Sequence, residues 1–139
     1  MRKILTTEIQ RAFSEVSPES SYKAGFFAYI TESQHELPLV WASPIELTSR
    51  TGRKEGKKTY SAKIYMLDQN NSFSQGEKED IWERQEDTAT KACEMLFESD
   101  KVEVVQISIS CSPDEMPISG YDTISTTVTL EIIVSYCRQ

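Results

Sequence analysis

Residues 123–137, TISTTVTLEIIVSYC, decide the fold. Every second position from Ile124 to Val134 is apolar or threonine, and the positions between them are mostly polar. Successive side chains of a β-strand point to opposite faces of its sheet, so this period of two is typical of a strand buried on one face. The stretch is also longer than an average strand. The sequence therefore predicts a long antiparallel strand over 123–136 with one solvated face.

Other segments have the composition of strands and predict the rest of the sheet. They are rich in β-branched or aromatic residues, and they cover 23–31, 59–67 and 102–111. Between the predicted strands 102–111 and 123–136, residues 113–122 contain prolines and a glycine and therefore predict a loop. Residues 37–47, LPLVWASPIEL, are framed by two prolines. Because proline cannot donate to a sheet ladder, this segment is expected to be an edge strand or an extended loop.

Two segments have the period of helices. Residues 4–16 predict a short N-terminal helix, and residues 77–98 predict a long one. We expect four of the long helix's side chains to be buried against strand residues: Ala89, Ala92, Cys93 and Leu96 against Ile107, Ile109, Leu130 and Ile132. The predicted fold is α+β, a single domain over 1–139, with an antiparallel sheet, the long helix packed on one face and the short helix at the N-terminus.

The composition excludes several classes of function. A net charge of −7 argues against a protein whose whole surface binds nucleic acid. No apolar run approaches the roughly 20 residues of a membrane helix. One histidine, His35, cannot complete a zinc set of usual spacing and is expected to be a solvated turn residue. No catalytic motif is present, so we predict no enzyme activity, no metal and no cofactor. The three cysteines are expected to be free thiols in a reducing compartment: Cys93, Cys111 and Cys137.

The most unusual stretch is residues 50–60, RTGRKEGKKTY. It holds five cations in an acidic protein: Arg50, Arg53, Lys54, Lys57 and Lys58. Its two glycines are separated by three residues and precede a predicted strand, whereas a phosphate-binding loop has four between them and opens a helix. The glycines and charges instead predict a mobile basic arm over about 48–58, exposed in the isolated subunit and ordered on assembly.

The sequence also offers surfaces that this arm could contact. An acidic set lies on the polar face of the long helix: Glu79, Asp80, Glu83, Glu86 and Asp87. The arm could meet this set within the subunit or on a neighbour, or it could remain solvated. Near the prolines, Leu39, Trp41 and Ile45 are candidates for the apolar contacts that would supply most of an interface's energy.

The order of these segments resembles that of the small tail-terminator and tail-completion proteins of tailed bacteriophages and prophages. The resemblance lies in an N-terminal helix, the sequences GFFAYITE, LPLVWASPIEL and TGRKEGKKTYSAKIYML, an acidic helix and two closing strands. It implies a non-enzymatic virion protein, made in the bacterial cytoplasm, that forms a homo-oligomeric ring at the head–tail junction. Other head–tail or tail proteins would be its partners, without cofactor or membrane. It implies no catalytic residues.

Within that resemblance the basic arm would contact an acidic surface on the next subunit or partner ring, or face the DNA channel. The pattern does not separate a tail terminator from a connector adaptor. The alternative is a monomeric regulatory or ligand-binding α+β domain.

Overall fold

The computed structural model describes residues 1–32, 35–118 and 121–137. Two helices, α1 (Arg2–Val16) and α2 (Gln75–Phe97), pack on one six-stranded sheet. The strands are β1 (Ser21–Ala24), β2 (Leu39–Ala42), β3 (Glu46–Gly52), β4 (Glu55–Gln69), β5 (Val104–Ile118) and β6 (Tyr121–Cys137). A 3₁₀ segment, Phe27–Glu32, lies between β1 and β2. The predicted α+β class, with one long and one short N-terminal helix, is confirmed.

The strand predicted from residues 123–136 is the one around which the sheet is built. The sheet order is β1-β2-β4-β6-β5, and β3 pairs with the first part of β4. β6 pairs antiparallel with β4 along its length and with β5 on its other side. Only the β1–β2 pair among the described strands is parallel. The prediction of a long antiparallel strand is confirmed.

The two faces of the sheet are covered differently. Both helices pack on one face, here called the helix face, and form the main core with the even-numbered residues of β4 and β6. Residues buried there include Leu5, Ile9, Ala12 and Phe13 of α1, Ala89, Ala92 and Leu96 of α2, and Ile64, Val128, Leu130 and Ile132 of the sheet. On the opposite face, here called the open face, Ile30, Leu39, Trp41 and Leu67 form a smaller cluster beneath the 3₁₀ segment.

The first half of α2 is fastened to the sheet by a buried polar group. Gln85 is 2% exposed, and its amide nitrogen donates to Asp68 Oδ2 at 2.7 Å and to the Ile124 carbonyl at 3.3 Å. Its amide oxygen accepts from Thr126 Oγ1 at 2.6 Å. Asp68 also pairs with Arg84 at 3.1 Å. Because Gln85 is satisfied on both sides, α2 has a fixed position over β4 and β6.

The strand predicted over 23–31 is wrong beyond its first residues. β1 ends at Ala24, and Gly25 then turns the chain with a φ of +150°. Phe27 stacks on Tyr65 of β4 at 3.8 Å between ring centroids, and Ile30 is buried in the smaller cluster. The apolar residues of this segment therefore cover the open face and do not form a strand.

The segment with two prolines is an interior strand, which contradicts the predicted edge strand or loop. β2 lies between β1 and β4, and all four of its residues are buried. Pro38 and Pro44 flank β2 without belonging to it. Because the prolines lie outside β2, their missing N–H groups cost the strand no ladder hydrogen bond. They end the strand but do not require it to be at an edge.

The loop predicted over 113–122 is also wrong among the described residues. β5 continues to Ile118, and β6 starts at Tyr121. Pro113 and Pro117 lie within β5. Because β6 is the one neighbour of β5 among the described strands, the proline side of β5 can face solvent, and this edge accepts residues that an interior strand would exclude.

The predicted burial of the long helix is confirmed for Ala89, Ala92 and Leu96, but Cys93 is half-buried. On the facing strands, Leu130 and Ile132 are fully buried, whereas Ile109 is 39% exposed. β5 is the outermost strand, so its helix-face side chains lie at the rim of the helix layer. The prediction that Ile109 belongs to the core is therefore wrong.

Candidate assembly surfaces

The basic segment is an ordered β-hairpin, which contradicts the predicted mobile arm. Residues 46–52 and 55–61 pair antiparallel, and Arg53 and Lys54 lie between the strands. Gly52 has a φ of +91°, and a Cβ on Gly56 would lie 1.8 Å from the Thr51 carbonyl oxygen. The glycines therefore permit a tight turn between two closely spaced strands.

Tyr136 of β6 fastens the hairpin to the central strand. Its hydroxyl donates to the Thr51 carbonyl at 3.0 Å and lies 3.3 Å from the Gly52 carbonyl oxygen. The Arg50 guanidinium and the Lys58 ammonium lie 5.0 and 5.2 Å from its ring centroid. Both distances fit cation–π contacts. This role of Tyr136 is not predicted from the sequence, where the residue only continues the alternating pattern of β6.

The hairpin's cations are available to a partner. Within the described part of the chain, none of the five forms an ion pair with a carboxylate. Arg50 and Lys58 occupy the helix-face side of the hairpin beside Tyr136, and Lys57 belongs to the open-face set of β4. Arg53 and Lys54 are exposed at the turn. Exposure of this segment in the subunit agrees with the prediction, except that Lys58 is half-buried.

The acidic set of α2 lies at the opposite end of the sheet. Glu79, Asp80, Glu83 and Asp87 are exposed and Glu86 is half-buried, all in the helix half that Gln85 fastens to Asp68. Lys58 and Asp68 are ten residues apart in β4, which is about 33 Å in an extended strand. This separation exceeds a Debye length of about 10 Å. Among the described residues, no ion pair joins the acidic set to the hairpin within the subunit.

The predicted apolar contact residues are part of the core. Leu39, Trp41 and Ile45 are 1%, 6% and 5% exposed, and the Trp41 indole donates to the Gly25 carbonyl at 2.9 Å. Because β2 is an interior strand, these side chains are inaccessible to a partner. Large apolar side chains are exposed elsewhere: Met1, Ile4, Phe26, Tyr29, Leu47, Phe97, Val105 and Ile109.

His35 is a structural residue of the open face, not the solvated turn residue predicted. It is half-buried, and the Lys23 ammonium donates to its Nδ1 at 2.8 Å. Its Nε2 contacts the Ile30 carbonyl oxygen, and its ring meets Trp41 edge-on at 5.5 Å. A neutral imidazole with its proton on Nε2 satisfies both contacts. His35 therefore joins β1, β2 and the 3₁₀ segment.

The described cysteines have the properties of structural thiols. Cys93 and Cys111 are free and half-buried. Burial raises the pKa of Cys93 to about 12, with a smaller contribution from Cys111, and burial also raises the pKa of Cys111. Because the thiolate is the nucleophile, both thiols are poorly reactive in the folded protein. The side chain of Cys137 lies outside the described residues.

The described residues hold neither a cluster of metal ligands nor a helix that could span a membrane. No cluster of three metal-ligating His, Cys, Asp or Glu side chains occurs in the described ranges. None of the helices in the described ranges combines the length and hydropathy needed to cross a bilayer. No protein-family model and no curated protein sequence matches the chain.

Proposed function

We propose that this chain is a non-enzymatic structural protein of a tailed-phage virion, assembled as a ring at the head–tail junction. A tail terminator, a tail-completion protein and a connector adaptor are all within this proposal. Further copies of the chain and other head–tail or tail proteins would be its partners. The proposal is supported by the resemblance in element order from the N-terminal helix to the two closing strands.

The observation that carries the proposal is the ordered basic hairpin without a counter-ion among the described residues. Five cations on a net-negative chain repel one another and are stabilised when an anionic surface approaches. The tight turn and Tyr136 hold the hairpin in one conformation before a partner arrives. A preorganised element loses less conformational entropy on binding than a flexible arm does.

The separation between the hairpin and the acidic set of α2 favours a contact between molecules. Gln85 anchors the acidic half of α2 at Asp68, about 33 Å from Lys58 along an extended β4, so a hairpin of another copy is a more accessible partner for this acidic set. An acidic surface on a partner ring or DNA in the channel would attract the same cations. Exposed ion pairs contribute only about 0–1 kcal/mol each, so the hairpin would steer and register assembly rather than hold it together.

The test is a charge-removal variant that spares the Tyr136 contact. Arg53, Lys54 and Lys57 are changed together to Ser, and Lys58 is kept because it flanks the Tyr136 ring. The matched control changes three exposed cations elsewhere to Ser: Lys3, Lys91 and Lys101. We expect the hairpin variant to assemble more slowly at low salt, with a defect that shrinks as salt is raised. The control should assemble at nearly the wild-type rate.

Light scattering after size-exclusion chromatography measures the assembly state, alone and with candidate tail or connector proteins. A chain that remains monomeric in every mixture would support the alternative of a monomeric regulatory or ligand-binding domain. If both triple variants assemble alike, the hairpin has no specific role. Titration with duplex DNA of arbitrary sequence distinguishes a contact with DNA in the channel from a contact with protein. Only the DNA contact predicts that the wild-type chain binds the duplex and that the hairpin variant does not.

A further inference from the structure

Among the described strands, β3 and β5 are edges that flank the interior strands β4 and β6, and β1 is a further edge beside β2. β3 is exposed along its whole length on one side, and β5 is the outermost strand on the other. A register shift after Val104 and prolines at 113 and 117 interrupt the two ends of β5. Between them, residues 106–112, QISISCS, contain neither a charge nor a proline. Such an uninterrupted edge is a template for pairing with another strand.

The register places β3 and β5 at the same level of the sheet. One row runs from Leu47 through Tyr60 and Ile132 to Ile107. Three residues further along β3, Arg50 is aligned across the sheet with Lys58 of β4, Val134 of β6 and Val104 of β5. β3 is antiparallel to β4, whereas β5 runs in the same direction as β4 because both are antiparallel to β6. A second copy set beside the first could therefore add its β3 to β5 as an antiparallel neighbour. With Leu47 opposite Ile109, residues 46–52 would lie beside 104–110, which includes most of the uninterrupted stretch; with Leu47 opposite Ile107, they would lie beside 102–108.

The two edges also match in chemistry. On β3, Leu47 is 50% exposed; on β5, Ile109 is 39% exposed beside the half-buried Ile107. The register assigns all three to the helix face. Edge-to-edge pairing would bury these apolar side chains against one another on the helix face.

We propose that β3 of one copy adds to β5 of the next, so that one sheet continues from subunit to subunit. This inference rests on the proposed ring function and names the contact between adjacent subunits. The contact uses two different surfaces of each subunit, so it is heterologous and closes into a ring if the rotation allows. It is lateral, whereas the hairpin turn projects along the strands and stays available for another partner.

Cysteine cross-linking tests the pairing and its register. In a background with Cys93, Cys111 and Cys137 changed to Ala, Leu47→Cys is combined with Ile107→Cys and the protein is mildly oxidised. Opposed side chains of antiparallel strands lie within reach of a disulfide. Because each subunit carries both halves of the contact, we expect a ladder of covalent multimers in non-reducing gels. The matched control combines Leu47→Cys with Ser108→Cys, whose side chain belongs to the open face, and should give no ladder.

A ladder with Ile107→Cys, or with Ile109→Cys for a register shifted by two residues, supports the inference. Assembly of the chain without either ladder overturns the inference and leaves the ring proposal standing. A chain that stays monomeric, alone and with partners, overturns both. Melting curves establish that each variant folds.

Discussion

The two ends of the sheet differ in how much of the molecule covers them. At the end where α2 begins, Gln85 and Asp68 join the helix to β4 on one face, and the 3₁₀ segment covers Leu39 and Leu67 on the other. At the hairpin end, β3 is exposed along its length and Tyr136 supplies the cross-strand contacts. At the covered end the Asp68 carboxylate is paired with Gln85 and Arg84, whereas the hairpin presents cations without carboxylate partners among the described residues.

This difference separates the residues that stabilise the fold from those that are available for contact with a partner. Burial of apolar side chains contributes most of the free energy of folding. The hairpin buries few of them, so its order depends on hydrogen bonds, on glycine geometry and on the ring of Tyr136. Substitutions in the core should therefore change global stability, while substitutions in the hairpin should change local opening or assembly.

The largest effect is expected from a matched pair of leucines. Leu96→Ala in the core should lower the free energy of unfolding by about 2–5 kcal/mol, because the side chain is 2% exposed and its removal leaves a cavity. Leu47→Ala on β3 makes the same chemical change at a side chain that is 50% exposed. Its cost should stay below about 1 kcal/mol.

Urea unfolding of the two variants measures this comparison directly. Equal losses of stability would show that the hairpin is as important to the folded core as α2 is. A loss below about 0.5 kcal/mol for Leu96→Ala would contradict the assigned core face of α2.

A smaller effect is expected from a matched pair of glutamines on α2. Gln85→Ala removes three hydrogen bonds, two of them buried, and leaves Thr126 and the Ile124 carbonyl without this partner, which should cost about 1–3 kcal/mol. Gln75→Ala removes one exposed contact, the bond to Glu79 at 3.0 Å, and should cost less than about 0.5 kcal/mol. Thermal melting of both variants at one protein concentration provides the measurement. Similar melting temperatures would contradict an anchoring role for Gln85.

Regular patterns made the covered part of the fold predictable. The alternation in 123–136 and the apolar stripe of 77–98 depend on local periodicity, and both elements form as predicted. The strand prediction for 23–31 failed because aromatic and β-branched residues occur both in strands and in segments that cover a sheet. Phe27 and Ile30 have strand composition, but they cover the open face, which is a property of the tertiary fold.

Prolines and glycines misled for a related reason. Pro38 and Pro44 predict an edge position for their segment, yet they lie on either side of an interior strand. Gly52 and Gly56 predicted mobility, whereas the structure uses them for close approach of two strands. The cations of the candidate surface were identifiable from charge alone. Their separation from the acidic set was not, because it depends on the register of β4 against β6 and on where α2 begins.

The smallest effect on global stability is expected at Tyr136, where it would sharpen the contrast between the two ends. Tyr136→Phe removes the hydroxyl bonds to Thr51 and Gly52 and keeps the ring between Arg50 and Lys58. Because these bonds fasten only the hairpin, the free energy of unfolding should change by less than about 1 kcal/mol. Amide hydrogen exchange in residues 50–57 should nevertheless become faster, while exchange in α2 and in 124–132 stays unchanged. Tyr136→Ala, which also removes the ring, should accelerate exchange in the hairpin further.

If Tyr136→Phe instead accelerates exchange throughout β4 and β6, then the hairpin and the covered end unfold as one unit. The preorganised hairpin would then not be a separate contact element.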